Sequence, residues 1–340
     1  MAIESTLRSS RRCRSVLVTG ASGFVGGEIA RRLQNEGYSA LGVGRRSLEP
    51  IGFGRYKRVD LAADDLGELL EGARFVVHCA GLAHRRHGEL SPHDYSRQNE
   101  EVTRRVAEAA VAYGAQRFVL ISSAAVYASG TTSARETDAP APSTWYGESK
   151  LAAERQASTV CRGGGVGLTI LRPATVYGVG DPGNVARLIR ALASGRFRSV
   201  GDGSNRKSLV HVGDLAGAVL ATLNAPTADE SRVFNVAGPS VAVSDIVDAI
   251  ASATGRRTPA ALPASVVQAA VGCAASLSFH CGPFERLRRS LRTWLSEDTL
   301  DTSAFERQNP HFRWTPFADG IIDEVRWLRR SEPRRHRIAA

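Results

Sequence analysis

Ser15-Val16-Leu17-Val18-Thr19-Gly20-Ala21-Ser22-Gly23-Phe24-Val25-Gly26 is the stretch on which the fold turns. A short apolar run, 15–19, reads as a strand, and the residues from Phe24 to Asn35 read as an amphipathic helix. Gly20 and Gly23 stand between them, and Gly26 lies in the first turn of the helix. Glycine lets the backbone bend sharply and come close to a pyrophosphate, while a helix N-terminus offers free N–H groups and the positive end of a dipole. A tight turn alone would also use glycines, but the position between a strand and a helix near the chain start favours a dinucleotide site. Gly20, Ser22, Gly23, Phe24, Val25 and Gly26 are the candidate cofactor contacts.

Outward from this turn, short apolar runs alternate with longer amphipathic segments, the pattern of strand–helix–strand units on a parallel sheet. Strands are expected at residues 15–19, 39–43, 58–59, 75–79, 118–122 and 168–171, and helices at 24–35, 65–71, 92–113 and 146–160. The first helix ends at Gly37, a common terminator. After Arg172-Pro173 the texture changes to Gly, Pro and Asp loops around shorter helices, and 208–224 reads as a helix returning to the first lobe. The expected architecture is a doubly wound parallel α/β (Rossmann) domain over 15–172, with 208–235 returning to it. An interleaved smaller α/β lobe is expected from 173–207 and 236–328. No internal repeat is visible.

The 340 residues are 43% hydrophobic and 23% charged, enough for a large core. The net charge of +10 raises a nucleic-acid partner, because clustered basic groups neutralise phosphates. Its distribution argues against one. Only Lys57, Lys150 and Lys207 are lysines, and the arginines are scattered with an excess at the ends: Arg8, Arg11, Arg12 and Arg14 in a flexible basic arm (1–14), and Arg329, Arg330, Arg334, Arg335 and Arg337 in a basic tail (329–340). Cys13, Cys79, Cys161, Cys273 and Cys281 contain no C-x-x-C pair, which suggests neither a zinc site nor a disulfide framework and fits a reducing cytoplasm. The arm has no apolar core of a secretory signal. Residues 264–279, the most apolar stretch, carry Gln268 and are short for a membrane span, so a buried helix is preferred to a membrane-surface one.

A second signal is Tyr146-Gly147-Glu148-Ser149-Lys150, where Tyr and Lys four apart share a helix face. An ammonium beside a phenol favours the phenolate and lowers its pKa from about 10, so that the phenol can exchange a proton with a hydroxyl near neutrality. The pair opens the helix that follows the 118–122 strand, and Ser122-Ser123 closes that strand. A hydroxyl at the carboxyl edge of a doubly wound sheet faces the ligand crevice. For Ser122 a strand-end hydrogen bond is the preferred reading. His78, His84 and His87 have no carboxylates at metal spacing beside them, and no metal is expected.

Together these features resemble the extended short-chain dehydrogenases, in particular the nucleotide-sugar epimerase, dehydratase and reductase family, over about residues 15–327. Val76-Val77-His78-Cys79-Ala80-Gly81 resembles the family's fourth strand, whose end passes the cofactor. Asp60-Leu61 resembles the acidic adenine-contacting position, and Asn99 the family's helix asparagine. Leu171-Arg172-Pro173-Ala174-Thr175-Val176-Tyr177-Gly178 resembles the entry to the sugar-nucleotide site. Ser208-Leu209-Val210-His211-Val212-Gly213-Asp214-Leu215-Ala216 resembles the re-entry segment, and Phe312-Arg313-Trp314-Thr315-Pro316 the C-terminal element. The resemblance implies that Ser123 binds the reacting oxygen, Tyr146 is the acid/base, and Lys150 binds the nicotinamide ribose while tuning Tyr146. It implies cofactor contacts at Asp60, Leu61, Ala80, Gly81 and Asn99, and substrate contacts at Ser123, Thr175, Asn184, Arg206 and Lys207. It also implies a homodimer through helices 92–113 and 146–160.

Departures narrow the reading. Dehydratases carry an Asp-Glu pair where this chain has Ala124 and Ala125, so dehydration is not expected. The family's phosphate-contacting Arg, four residues before the His of the re-entry segment, is replaced by Lys207 with Arg206 beside it. The second strand ends Val43-Gly44-Arg45-Arg46 without a carboxylate until Glu49, which favours NADP(H) through Arg45 and Arg46, with NAD(H) as the alternative. The expected chemistry is hydride transfer at C4 of a nucleotide-linked, UDP-linked sugar, leaning to reduction of a 4-keto-6-deoxy sugar nucleotide, with 4-epimerisation second. A reductase of a non-nucleotide alcohol and a non-catalytic NADP(H)-binding scaffold are the other readings.

Overall fold

The computed structural model describes residues 14–46, 54–82, 91–195, 197–225, 231–269 and 282–331. Most of the basic arm, the tail beyond 331, Glu49, His84, His87 and most of the apolar stretch 264–279 lie outside the described residues.

Along the chain come β1 (Ser15–Thr19), α1 (Phe24–Asn35), β2 (Ser39–Gly44), β3 (Tyr56–Arg58), the single turn α2 (Gly67–Leu70) and β4 (Phe75–His78). Then follow α3 (Pro92–Tyr95), a π-helical segment (Ser96–Glu101), α4 (Val102–Ala112), β5 (Arg117–Ile121), α5 (Trp145–Gly164) and β6 (Gly167–Pro173). The second half holds β7 (Thr175–Tyr177), α6 (Asn184–Ala193), β8 (Ser199–Val200), β9 (Arg206–Lys207), β10 (Leu209–His211), α7 (Val212–Asn224) and β11 (Arg232–Val236). It continues with β12 (Val241–Ala242), α8 (Val243–Thr254), β13 (Ala261–Leu262), α9 (Gly282–Leu295), α10 (Ser303–Gln308) and α11 (Phe317–Ser331).

Seven parallel strands form one sheet in the order β11-β6-β5-β4-β1-β2-β3. The unbroken apolar runs follow from helices covering both faces. Along β1, Val16 and Val18 enter the core under α1 and α7, and Leu17 enters the core under α4 and α5. Helix α1 buries Gly26, Ile29, Ala30 and Leu33, one stripe at helical spacing. Because the chain leaves β3 and crosses to β4, on the far side of β1, a crevice opens at the carboxyl ends of β1 and β4.

The differences from expectation have local causes. Strand β3 sits at Tyr56–Arg58 rather than 58–59, since an edge strand with little apolar content is positioned by pairing to β2 rather than by its own pattern. The 92–113 helix is broken by its π segment. Helix α5 runs from an N-cap at Thr144, whose hydroxyl accepts the Gly147 N–H at 3.1 Å, to Gly165, which ends it with φ +68°. Strand β11 was not expected, yet it extends the sheet beside β6, with Asn235 opposite Arg172.

The smaller lobe gathers α6, α8 and α11 around Ile189, Ile250 and Val325. Phe305 of α10 is fully buried against the rings of Phe234, Phe312 and Trp314, so the C-terminal segment completes one face of the main sheet. No described helix is long and apolar enough to cross a membrane. Among the described residues no group of His, Cys, Asp and Glu is placed to hold a metal ion.

Candidate active site

The glycine turn fits against the end of β4 with no space for a side chain. Gly20 has φ +69°, and a Cβ there would lie 2.8 Å from the Ala80 nitrogen; a Cβ on Gly26 would lie 2.4 Å from the Gly20 oxygen. Helix α1 starts at Gly23 with neither a side-chain cap nor an acidic residue in its first turn, leaving its N–H groups and positive dipole for an anion. This is the cradle a dinucleotide pyrophosphate requires, and the residues present fit the cofactor.

Beside it, Cys79 and Ala80 are held by a directed chain of hydrogen bonds. The Thr19 hydroxyl accepts the N–H groups of Cys79 and Ala80, each at 3.2 Å, and so donates to His78 Nδ1 at 2.8 Å. His78 Nε2 then donates to Thr103 at 3.1 Å, and Thr103 donates to the Asn99 carbonyl at 2.5 Å. Burial, with Lys150 adding, pushes His78 down to about 3, so it is a neutral strut rather than a ligand. Asn99 lies in the π segment, and such insertions re-aim side chains at functional sites. Its amide accepts the Leu82 N–H at 2.6 Å and donates to the Leu82 carbonyl at 3.1 Å and to Ser149 at 2.9 Å, joining the β4 loop to α5.

Ser123 caps a short 3₁₀ turn, Ala124–Val126, its hydroxyl accepting the Ala125 N–H at 3.1 Å, and it is hydrogen-bonded to the Tyr146 phenol. Lys150 is buried one turn further along α5 and donates from Nζ to the Ile121 carbonyl at 2.6 Å. Expectation and structure part here. Burial pushes the Tyr146 phenol above its usual value, the bond to Ser123 opposes this, and Tyr95, edge-on at 6.3 Å, adds to the rise. Lys150 is directed at the strand-end carbonyl, and burial pushes it down to about 8 against the pull of Glu154. Burial therefore outweighs the lowering of the phenol by Lys150 that the spacing anticipates.

Other anticipated contacts are spread more widely. Arg45 and Arg46 are exposed past Gly44, where a Cβ would meet the Ser22 hydroxyl at 2.6 Å. The exposed Asp60 accepts the Ala62 N–H at 3.1 Å within its own turn, and Leu61 is buried in the core. Thr175 is exposed at the start of β7, and Asn184 is bonded to Arg187 at the start of α6. Arg206 reaches Ser240. Lys207 donates to Asp298 at 2.5 Å, Thr293 at 2.8 Å and Ser296 at 3.0 Å, which occupies all three ammonium protons; a phosphate would have to displace one of them. The Ser122 hydroxyl donates across to α5, to the Glu154 carboxylate at 2.5 Å, rather than to nearby backbone. Sequence reasoning missed Glu154, which lies on the Tyr146–Lys150 face of α5, and its partner Arg172.

A glycine-cradled crevice on a seven-stranded parallel sheet, with Ser, Tyr and Lys at the next strand edge, defines a Rossmann protein of the short-chain dehydrogenase type. The NAD dependent epimerase/dehydratase family profile matches residues 16–237, and the chain belongs to that family. It is a family of NAD-dependent nucleotide-sugar epimerases and reductases. The chain is 31% identical to the UDP-glucose 4-epimerase of Vibrio cholerae, over 72% of this chain and 77% of that one. It is 29% identical to the dTDP-4-dehydro-6-deoxy-D-allose reductase of a Streptomyces species, over 72% and 82%. Among solved structures it resembles MoeE5 in complex with UDP-glucuronic acid and NAD, at 31% identity and a TM-score of 0.76, covering 94% of this chain and 100% of that one. The arginine-based preference for NADP(H) finds no support in these relatives.

Proposed function

We propose that the protein is a 4-epimerase of a UDP-linked hexose that retains NAD(H). The observation that carries this reading is the Ser123–Tyr146 hydrogen bond beside buried Lys150, at the same sheet edge as the Gly20–Gly26 cradle. The cofactor supplies the hydride acceptor and donor when bound. Tyr146 takes the proton of the C4 hydroxyl and returns it, and Ser123 hydrogen-bonds the same oxygen and orients it. Lys150 holds a positive charge near the ribose side of the site. Arg206, Thr175 and Asn184 are assigned to the nucleotide-sugar side, with Arg206 favoured over the occupied Lys207 for phosphate.

An epimerase consumes no reductant, whereas a ketoreductase exchanges its cofactor each cycle. Similarity to the Streptomyces reductase keeps net reduction of a 4-keto-6-deoxy sugar nucleotide as the second reading. The purified protein is to be incubated with UDP-galactose, UDP-N-acetylglucosamine and UDP-glucuronic acid without added reductant and followed by proton NMR. Inversion at C4 of at least one is expected. Tyr146→Phe should lower turnover by about 100- to 10,000-fold, with cofactor binding retained. Turnover only with stoichiometric NADPH and a keto sugar would select the second reading, and near-normal activity of Tyr146→Phe would remove the mechanism.

A further inference from the structure

We propose that the buried Glu154–Arg172 pair is the positioning unit of this reaction centre, one ion pair that holds both ends of the Ser123 turn against α5. The proposal rests on the reading of Ser123, Tyr146 and Lys150 given above. Glu154 follows Tyr146 by eight residues and Lys150 by four, so the three share one face of α5. Its carboxylate accepts two bonds from Arg172, from Nε at 3.0 Å and from Nη2 at 2.7 Å, and a third from the Ser122 hydroxyl at 2.5 Å. The free edge of the guanidinium donates from Nη1 to the Tyr127 hydroxyl at 2.8 Å, with the guanidinium carbon 5.1 Å from the Tyr127 ring centre. Tyr127 donates its own hydroxyl hydrogen bond to the Asn235 side-chain oxygen, on β11, at 2.9 Å.

Ser122 immediately precedes Ser123, and Tyr127 immediately follows the 3₁₀ turn that Ser123 caps. The ion pair therefore grips the turn before and after the Ser123 hydroxyl, while Lys150 grips the preceding carbonyl, that of Ile121. Stability alone is a poor reason for such a group. Desolvating two charges costs about as much as their attraction returns, and well-packed apolar residues would serve as well. A fixed geometry is what the apolar alternative would lose, since none of its atoms could direct Ser122 and Tyr127 at once. Glu154 has a second effect, because its charge pulls the Lys150 proton towards retention against burial.

Three variants test this. Ser122→Ala and Tyr127→Phe each remove one strut and leave the ion pair whole, so the fold is kept; Glu154→Gln removes the charge. With the UDP-sugar turned over by the wild type, each should lower kcat by about 10- to 100-fold while KM and NADH affinity change little. The protein has only three lysines, so its spectrum labelled with ¹³C at the lysine ε-carbons is simple, and Lys150 is assigned by its loss in Lys150→Arg. In Glu154→Gln the Lys150 midpoint should move down by at least about one pH unit, a tenfold change in proton affinity, and in Ser122→Ala and Tyr127→Phe it should stay. Unchanged kcat in Ser122→Ala and Tyr127→Phe, or an unmoved Lys150 midpoint in Glu154→Gln, would overturn the proposal. If the wild type turns over no UDP-sugar, the proposed function fails, and the lysine titration still decides the Glu154 part.

Discussion

Gly26 shows how a single residue type can be demanded by backbone contact alone. A methyl group there would sit 2.4 Å from the Gly20 oxygen, and backbone on both sides cannot yield as a flexible side chain would. Gly163, near the end of α5, has nothing within 4 Å of its missing Cβ. Gly26→Ala is expected to weaken NADH binding about tenfold or more, since overpacking costs about 1–3 kcal/mol, while Gly163→Ala leaves it unchanged; fluorescence titration of both variants checks this. The glycines, Tyr146 and Lys150 were legible in the sequence because their relation is local, a turn and a helical repeat. The state of the phenol was not legible. Spacing places Lys150 on the right face, but only the packed structure directs its ammonium to the Ile121 carbonyl and buries Tyr146.

At the scale of elements, the C-terminal helix α11 carries a buried acid. Glu324 accepts the Gly178 N–H at 3.1 Å, and burial, with Asp181 adding and Arg190 opposing, raises it to about 8. The folded protein therefore keeps a proton that the unfolded chain releases above about 4.5, and stability falls as pH rises from there through 8. His78 works in the other direction: folded it stays neutral down to about 3, so stability is lost as pH falls below its ordinary 6.5. Melting temperatures measured from pH 5 to 9 should decline for the wild type between about pH 6.5, where the opposing His78 effect ends, and 8, and much less for Glu324→Gln. Equal slopes would show that Glu324 does not carry the effect. The Gly178 loop that Glu324 anchors runs on to Gly180, whose missing Cβ would lie 3.6 Å from Phe24 at the start of α1, so the loop lies between α11 and the start of α1.

On the scale of the whole molecule, the chain beyond the family's matched span is part of the main core. Phe305 is fully buried beneath β11 and meets Phe234, Phe312 and Trp314 at ring distances of 5.1–5.9 Å. Phe305→Ala should cost about 3–5 kcal/mol in urea unfolding, far more than a surface change in the same helix. The sequence by itself determined the doubly wound class, six of the seven strands of the sheet in outline, the glycine cradle and the Tyr146–Lys150 pair. Each of these is written in neighbours a few residues apart, where periodicity and turn chemistry report directly on the backbone. Only the tertiary structure decided that β11 closes the sheet, that Lys207 belongs to Asp298, and that Glu154 finds Arg172. Those partners are separated by 18 to 91 positions in the chain or lie on different strands. Nothing local in a Glu or a Lys names the charge that will face it; that choice is made when the elements pack and a buried charge must find its counter-charge.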